Sequence, residues 1–223
     1  MKIGYKKFIK TIKSIKIVET YPDFNIGTIA VILLCTMALV IATFTKINLY
    51  SLNLFSPFDS MQGENTSLIS IFSYIPQVPV VLLIAVLLGP SYGMLSVCIY
   101  IILGFIGIPV FSSGGGPLYF LRPSFGFILG FLPAIFFVAN ILKNPNVRFK
   151  ITKATIAGVL SIHILGIIYL VLLMFFKGEQ LFLMLSWVWL LSGMQILYDF
   201  IFGFAAILAG RFLRTFLSFA TDK

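Results

Sequence analysis

Asp199 is an acidic residue inside a strongly apolar stretch of the sequence, SGMQILYDFIFGF. A carboxylate at membrane depth costs at least ~3 kcal/mol, so it must face other helices or a water-filled cavity. On a helix, Ser192, Gln195 and Asp199 share one face at positions i, i+3 and i+7, and Tyr198 lies beside them. This polar stripe indicates either a hydrogen-bonded clasp between helices or a binding site. We favour a binding site, because a clasp could use a neutral residue at lower cost.

A second candidate site lies in the sequence VFSSGGGPLYFLRP at residues 110–123. Its three consecutive glycines are Gly114, Gly115 and Gly116. Glycine allows φ > 0 and close approach of a bound molecule to the backbone. Tyr119 and Phe120 would supply flat apolar walls, and the Arg122 guanidinium a fork of donors for a carboxylate. Alternatively, the segment is only a tight external turn, and Arg122 reaches the lipid headgroups.

His163 is the single histidine and falls in the middle of an apolar stretch. The sequence places no second histidine, cysteine or carboxylate at metal-ligand spacing from it, so we expect packing or a hydrogen bond between helices, with no metal site and no cofactor. The motifs of phosphate loops, zinc proteases and serine hydrolases are absent from the sequence, as are paired carboxylates at membrane depth. An enzyme is not predicted.

The elements that position these residues are membrane helices. The chain is 60% hydrophobic and 10% charged, whereas soluble domains are about a quarter charged. Uncharged runs cover residues 26–45, 65–121, 123–142, 154–176 and 180–198. Since about 20 apolar residues cross a bilayer, the longest run holds two spans, divided at GPSYG, and the last span is placed near residues 190–210. The sequence predicts an all-α integral membrane protein with six transmembrane helices.

Charge placement predicts the orientation of these helices. With both termini cytoplasmic, thirteen lysines and arginines lie inside, and only Lys46, Arg122 and Lys177 lie outside. We therefore attribute the net charge of +9 to basic residues that orient the helices in the membrane, and not to a surface that binds nucleic acid. The predicted organisation is a cytoplasmic basic segment at 1–25, a membrane domain at 26–213 with external connections at 48–74 and 111–122, and a cytoplasmic tail at 214–223.

The basic segment has an apolar face of its own, because Tyr5, Phe8, Ile12 and Ile15 recur at helical spacing among lysines. This pattern favours a helix lying on the anionic inner leaflet of the lipid bilayer. The alternative is a helix that docks on a cytoplasmic partner.

Three stretches carry a resemblance to a known family. They are LLGP followed by a glycine at residues 87–93, YIILGFIGIPVF followed by glycines at 100–116, and RPSFGFILGF at 122–131. In order and spacing, residues 76–143 resemble the BioY family, the biotin-specific substrate-binding subunits of energy-coupling factor transporters. The family signature has threonine and tyrosine where this sequence has Ser124 and Phe127.

The resemblance implies a six-helix membrane subunit that binds biotin in an outward-facing pocket and does not transport it alone. A transmembrane coupling subunit and two cytoplasmic ATPases would supply the energy, which agrees with the missing phosphate loop. Ala38 and Ala42 match the alanine spacing that family members use on the first helix to contact the coupling subunit.

Two departures from the family stand out. The final helix of the family pairs an acidic residue with a lysine three positions later, but Asp199 is followed at that position by Phe202. Either Arg122 supplies the missing cation or the ligand anion is held differently. The external connection at 48–74 is also longer than the family leads us to expect, and we consider it a candidate lid.

The expected roles follow from the chemistry of biotin, a ureido ring system with a carboxylate tail. Asp199 would accept the ureido N–H groups, supported by Gln195 and Tyr198. The three glycines, the two aromatic residues and Arg122 would contact the remainder of the molecule as described. The alternatives are a substrate-binding subunit for another small vitamin or precursor, and a membrane scaffold that transports nothing.

Overall fold

The computed structural model describes residues 26–52 and 69–221. The predicted basic segment 1–25 and the middle of the external connection lie outside the described residues. In chain order the elements are α1 (Ile26–Phe44), β1 (Ile47–Leu52), β2 (Ile69–Tyr74), α2 (Gln77–Phe105), a 3-10 turn (Pro117–Leu121), α3 (Phe125–Lys143), α4 (Lys150–Phe176), α5 (Leu181–Val188), a π-helical turn (Trp189–Gly193) and α6 (Ile196–Thr221). The chain divides into two units, Met1–Val31 and Ile32–Lys223, and the core and the candidate site lie within the second.

Within the described residues, five helical stretches are long and apolar enough to cross a membrane. They are Ile26–Phe44, Gln77–Phe105, Phe125–Lys143, Lys150–Phe176 and Leu181–Arg214. Large apolar side chains on these helices remain exposed, such as Leu34 at 68% and Phe175 at 77%, which suits contact with lipid tails. The predicted all-helical membrane domain is confirmed. The two strands lie in the connection between α1 and α2.

Helix α2 reverses direction at the predicted turn. Gly89 has φ 73° and ψ −170°, a conformation that favours glycine, and Pro90 follows it. In an uninterrupted helix, Gln77 and Tyr100 would lie roughly 34 Å apart, yet the Gln77 amide Nε2 donates to the Tyr100 hydroxyl at 3.0 Å. Because the two ends of α2 meet, its segments before and after Gly89 run antiparallel.

Buried polar side chains attach α1 to the second segment of α2. Thr36 Oγ1 and Ser96 Oγ lie 3.0 Å apart, and Thr43 Oγ1 lies 3.0 Å from the Tyr100 hydroxyl. Gln77 Nε2 also donates to Thr43 Oγ1, at 2.6 Å. Each of these polar groups is satisfied within the bundle, as burial in an apolar environment requires.

Helices α3 and α4 approach closely because glycines line their contact. A Cβ on Gly130 would lie 2.7 Å from Ile162 Cα, and one on Gly126 would lie 2.3 Å from Tyr169 Cβ. Small residues four positions apart allow backbones to pack in this way in membranes. This contact fixes the position of His163, which follows Ile162 on α4.

Between α1 and α2, the strands β1 and β2 form an antiparallel pair, with Ile47 opposite Tyr74 in the register. Burial alternates at the end of β2, where Ile71 and Ser73 are exposed, whereas Phe72 is half-buried and Tyr74 is buried. The pairing places Tyr74, the last residue of β2, just before the start of α2.

The last candidate span differs from the predicted one at residues 190–210, since it covers Leu181–Arg214. Its first helix, α5, is almost entirely apolar (LFLMLSWV), and only a π-helical turn separates it from the remainder. Helix α6 continues to Thr221, through most of the segment that the sequence assigns to a cytoplasmic tail.

Candidate functional site

Asp199 is buried, at 1% exposure, and both of its carboxylate oxygens have partners. The Tyr74 hydroxyl donates to Oδ1 at 2.7 Å, and His163 Nε2 lies 3.0 Å from Oδ2. Three separate elements, β2, α4 and α6, therefore meet at one carboxylate. This arrangement is an interhelical clasp, which is one of the two interpretations that the sequence left open.

His163 is oriented by a second hydrogen bond. Its Nδ1 lies 2.8 Å from Ser192 Oγ, in the π-helical turn before α6. With Asp199 ionised, Nε2 carries the proton and donates to the carboxylate, while the Ser192 hydroxyl donates to Nδ1. The expected hydrogen bond between helices is confirmed for His163, and its partner is Asp199.

Tyr74 reaches Asp199 because the strand pairing ends at this residue. Its side chain is fully buried, and its ring lies 5.4 Å from that of Phe202. Burial raises the pKa of the Tyr74 phenol above its ordinary value, and the charge of Asp199 raises it further. The phenol therefore stays protonated and acts as a donor to Asp199.

A small cavity lies beside this cluster, with a volume of about 90 Å³. Its polar lining consists of Gln77, Ser112, Ser124, His163, Gln195 and Asp199. Apolar side chains from α3 and α4, including Phe127, Phe131 and Ile162, form another part of its wall. Pockets for organic ligands usually have volumes of about 300–1,000 Å³, so a ligand of that size requires the cavity to enlarge.

The structure brings three of the predicted residues to this region. Asp199 and Gln195 line the cavity. Tyr119 is buried, and its hydroxyl lies 3.5 Å from Ser112 Oγ and 3.3 Å from Ser124 Oγ, both of which line the cavity. These contacts place Tyr119 directly behind the polar lining.

Tyr198 has a different neighbourhood. Its hydroxyl donates to the Tyr50 carbonyl oxygen in β1, and its ring stacks on Phe202 at 6.2 Å. Tyr198 is not among the described residues that line the cavity. It connects α6 to the strand pair.

The three glycines pack near the end of α2 and are not among the described residues that line the cavity. A Cβ on Gly115 would lie 2.4 Å from the Ile108 carbonyl oxygen, and the Gly116 N–H donates to the Gly104 carbonyl oxygen at 2.7 Å. Gly114 has φ 103° in the tight turn, where it pairs with Phe111. Packing and turn geometry account for these glycines.

Phe120 and Arg122 lie on the surface. The Phe120 side chain is 45% exposed, and the Tyr169 hydroxyl donates to its carbonyl oxygen. Arg122 is exposed and, within the described residues, makes no ion pair. Neither residue is brought to Asp199 in this structure.

Sequence reasoning did not identify Tyr74, Gln77, Ser112 and Ser124 as members of the site. It noted His163 as a conspicuous polar residue within the membrane but assigned it no binding role. The β-branched and aromatic residues of ISIFSY were a detectable signal for a strand that ends at Tyr74. No local pattern indicates which residue that strand meets.

The two alanines predicted to contact a coupling subunit lie one helical turn apart on the same side of α1, but they differ in exposure. Ala42 is buried, at 4% exposure, whereas Ala38 is exposed. Only Ala38 is therefore available on the outer surface of the helix.

The known proteins that this chain resembles are named for biotin. The chain is 36% identical over 97 residues to a probable biotin transporter BioY of Lysinibacillus sphaericus, and 40% identical over 95 residues to one of Pyrococcus horikoshii. These matches cover 42% of this chain, and 49% and 56% of the two relatives, so the chain spans about half the length of the curated relatives it matches. Transporter relatives and apolar helices of spanning length make the chain a multi-pass protein of the cell membrane.

The fold has a solved counterpart in the S-component for biotin from an ECF-type ABC transporter. The similarity has a TM-score of 0.60 at 24% identity and covers 85% of this chain and 91% of that one. The sequence profile of the BioY family matches residues 66–219. The chain belongs to the BioY family.

Proposed function

We propose that this chain is the biotin-binding membrane subunit of an energy-coupling factor uptake transporter. It would capture biotin from outside the cell for import by a transmembrane coupling subunit and two cytoplasmic ATPases. The observation that carries this proposal is the buried Asp199 carboxylate at the wall of a cavity, in a chain whose family and fold relatives are named for biotin. The proposed role is binding and not catalysis.

The Asp199 carboxylate suits the ureido group of biotin. Each carboxylate oxygen has about two acceptor positions, and Tyr74 and His163 occupy one each. The remaining positions can accept the two ureido N–H groups. The Gln195 amide, also in the lining, can donate to the ureido carbonyl oxygen. A site with paired polar groups of this kind rejects ligands that leave those groups unpaired.

We propose that biotin enters this site when the outer end of the bundle rearranges. The polar rim of the cavity includes Ser112 and Ser124, which flank the 3-10 turn. Displacement of this segment would enlarge the cavity and open it to the outside. Arg122 lies two residues before Ser124, and we assign it the valerate carboxylate at the mouth of the enlarged site.

We propose six membrane crossings with both termini in the cytoplasm. The reversal at Gly89 supports this count, because it divides α2 into two antiparallel segments. The distribution of basic residues supports the orientation. Lys177 donates to the Leu121 carbonyl oxygen at one end of the bundle, whereas Lys143 lines a cavity together with arginines of α6.

Cysteine labelling tests this topology. In a variant that lacks Cys35 and Cys98, single cysteines at Ser113 and at Asn144, both exposed positions, should react from opposite sides of the membrane. A membrane-impermeant maleimide applied to intact cells should label only the first. Labelling of both positions from outside would contradict the six-crossing topology.

Ligand capture tests the function itself. The purified protein is expected to bind biotin in isothermal titration, and mass spectrometry of gently extracted protein should find biotin copurified. Recovery of a different small molecule would indicate a subunit for another vitamin or precursor. Absence of both binding and a copurified ligand would indicate a membrane scaffold. The matched control is biotin with its ureido N–H groups methylated, which removes the donors for Asp199 and should bind much more weakly.

Docking to the coupling subunit is proposed on the lipid-facing side of α1. Ala38 is exposed there and permits close approach of another helix. Ala42, which the sequence pairs with Ala38, would take part only if α1 rotates or shifts on docking, because it is buried in this structure.

A further inference from the structure

A second and larger cavity lies between the helices, with a volume of about 580 Å³. Its apolar lining includes Ala85, Val86, Ala139 and Leu142, and its polar lining includes Lys143, Arg211 and Arg214. The turn at Gly89 and Pro90 completes the wall. None of these residues belongs to the lining of the cavity beside Asp199.

The cavity lies at the end of the bundle away from Asp199. Arg211 and Arg214 follow Asp199 on α6 by 12 and 15 residues, which corresponds to roughly 20 Å along a helix axis. Lys143 is the last residue of α3. The spanning stretches of α3 and α6 end at Lys143 and Arg214, so the three cations gather at the depth where a membrane protein meets the lipid headgroups.

The lining is strongly positive in charge. Within the described residues the acidic side chains are Glu179 and Asp199, and neither lines this cavity. The turn at Gly89 brings the C-terminal end of one segment of α2 and the N-terminal end of the next to the cavity, so their helix dipoles oppose each other and the charged side chains decide its sign. Three cationic side chains around one concave space favour an anion.

We infer that this cavity binds an anionic phospholipid through its phosphate group. Lys143 and Arg214 hold the phosphate, and Leu142 and its apolar neighbours contact the glycerol and the first part of an acyl chain. The volume lies within the usual range for small-molecule sites, about 300–1,000 Å³. A lipid fits better than a free anion, because half of the lining is apolar and belongs to membrane helices.

Native mass spectrometry of the delipidated protein tests this inference. Palmitoyl-oleoyl phosphatidylglycerol and the phosphatidylcholine with the same acyl chains are offered at equal concentration. We expect bound phosphatidylglycerol to predominate on the unaltered protein. The double variant Lys143→Gln, Arg214→Gln should lose about fivefold in affinity for each charge removed, or about 25-fold together, with little change for phosphatidylcholine.

Matched variants distinguish a specific lipid site from a general attraction between basic residues and anionic lipids. Lys153→Gln removes an exposed charge near the start of α4 that does not line the cavity, and it should leave the preference intact. The charge-preserving pair Lys143→Arg, Arg214→Lys should retain it as well. Equal binding of the two lipids, or an equal loss with Lys153→Gln, would overturn the inference. So would displacement of the lipid by an equal concentration of inorganic phosphate, which would mean a site for free anions.

The lipid experiment is independent of biotin. Asp199→Asn should bind phosphatidylglycerol like the unaltered protein, because the two cavities share no lining residue. A failed biotin titration therefore leaves the lipid inference standing, and a failed lipid experiment leaves the proposed function standing.

Discussion

Asp199→Asn is expected to weaken biotin binding by about 30- to 1,000-fold, while the ligand-free protein keeps its fold. The substitution keeps the size of the side chain but replaces one acceptor by an amide donor. That donor would face a ureido N–H group of biotin, which is also a donor. The loss should therefore resemble that of a hydrogen bond to a charged group, ~2–4 kcal/mol. Titration of biotin and the melting temperature in detergent measure the two quantities.

The fold should survive because the neighbours of Asp199 can adapt to asparagine. Tyr74 can still donate to the amide oxygen, which replaces Oδ1. His163 can take the other tautomer, so that Nε2 accepts from the amide and Nδ1–H donates to the Ser192 hydroxyl. All the hydrogen bonds of the clasp are then retained, and only the two that His163 makes are reversed in direction. We expect the melting temperature of the ligand-free protein to change little.

Ser192→Ala is the matched control for this experiment. It removes a hydrogen bond from the clasp, but Ser192 is not among the described residues that line the cavity. Its expected effect on biotin affinity is small. If Ser192→Ala weakened biotin as much as Asp199→Asn does, Asp199 would act through the clasp alone. An unchanged affinity of Asp199→Asn, whatever its stability, would remove the carboxylate from the site.

The membrane helices were predictable because each one is marked by the hydropathy of its own residues. Runs of apolar residues identified the five helical stretches of spanning length, and the GPSYG sequence identified the reversal at Gly89. The start of the last span was placed too late, at about residue 190. The apolar character of LFLMLSWV does not reveal that α5 belongs to the same span as α6, since only a π-helical turn separates them.

The site was predictable only in part because its members come from distant positions. Asp199 and Gln195 were identified from their spacing on one helix. Tyr74 lies 125 residues before Asp199 in the sequence and reaches it through the pairing of two strands. His163 lies 36 residues before Asp199 and reaches it where α4 packs against α6. Contacts of this range leave no signal in the local pattern of either partner.

Phe202 shows how the departure from the family pattern is accommodated. The family lysine would stand at this position, but Phe202 packs its ring against Tyr74 and Tyr198. The carboxylate of Asp199 has donors from Tyr74 and His163 instead. Arg122, which the sequence offered as a substitute cation, is exposed and does not contact this carboxylate. The charge of Asp199 is therefore balanced by hydrogen bonds from neighbours that the linear sequence keeps far apart.

Gly115→Ala is expected to destabilise the protein by ~1–3 kcal/mol, the usual cost of overpacking. The added methyl group would lie 2.4 Å from the Ile108 carbonyl oxygen and 3.0 Å from that of Gly104. Both atoms belong to the backbone, one in the last turn of α2 and one in the turn that follows it, so no side chain can move aside to relieve the clash. The Gly116 hydrogen bond to Gly104 should weaken as the segment shifts. Thermal melting in detergent, without biotin, measures the effect.

The same variant decides between the two interpretations of the glycine-rich segment. If the glycines serve packing, Gly115→Ala should lower the melting temperature by several degrees, and the folded fraction should still bind biotin with nearly unaltered affinity. Ser113→Ala in the same turn is the control, because it removes only an exposed hydroxyl and should change neither quantity. A large loss of biotin affinity at an unaltered melting temperature would mean instead that the ligand approaches the backbone at Gly115. In that case the bound form must bring the segment away from α2 and over the Asp199 cavity.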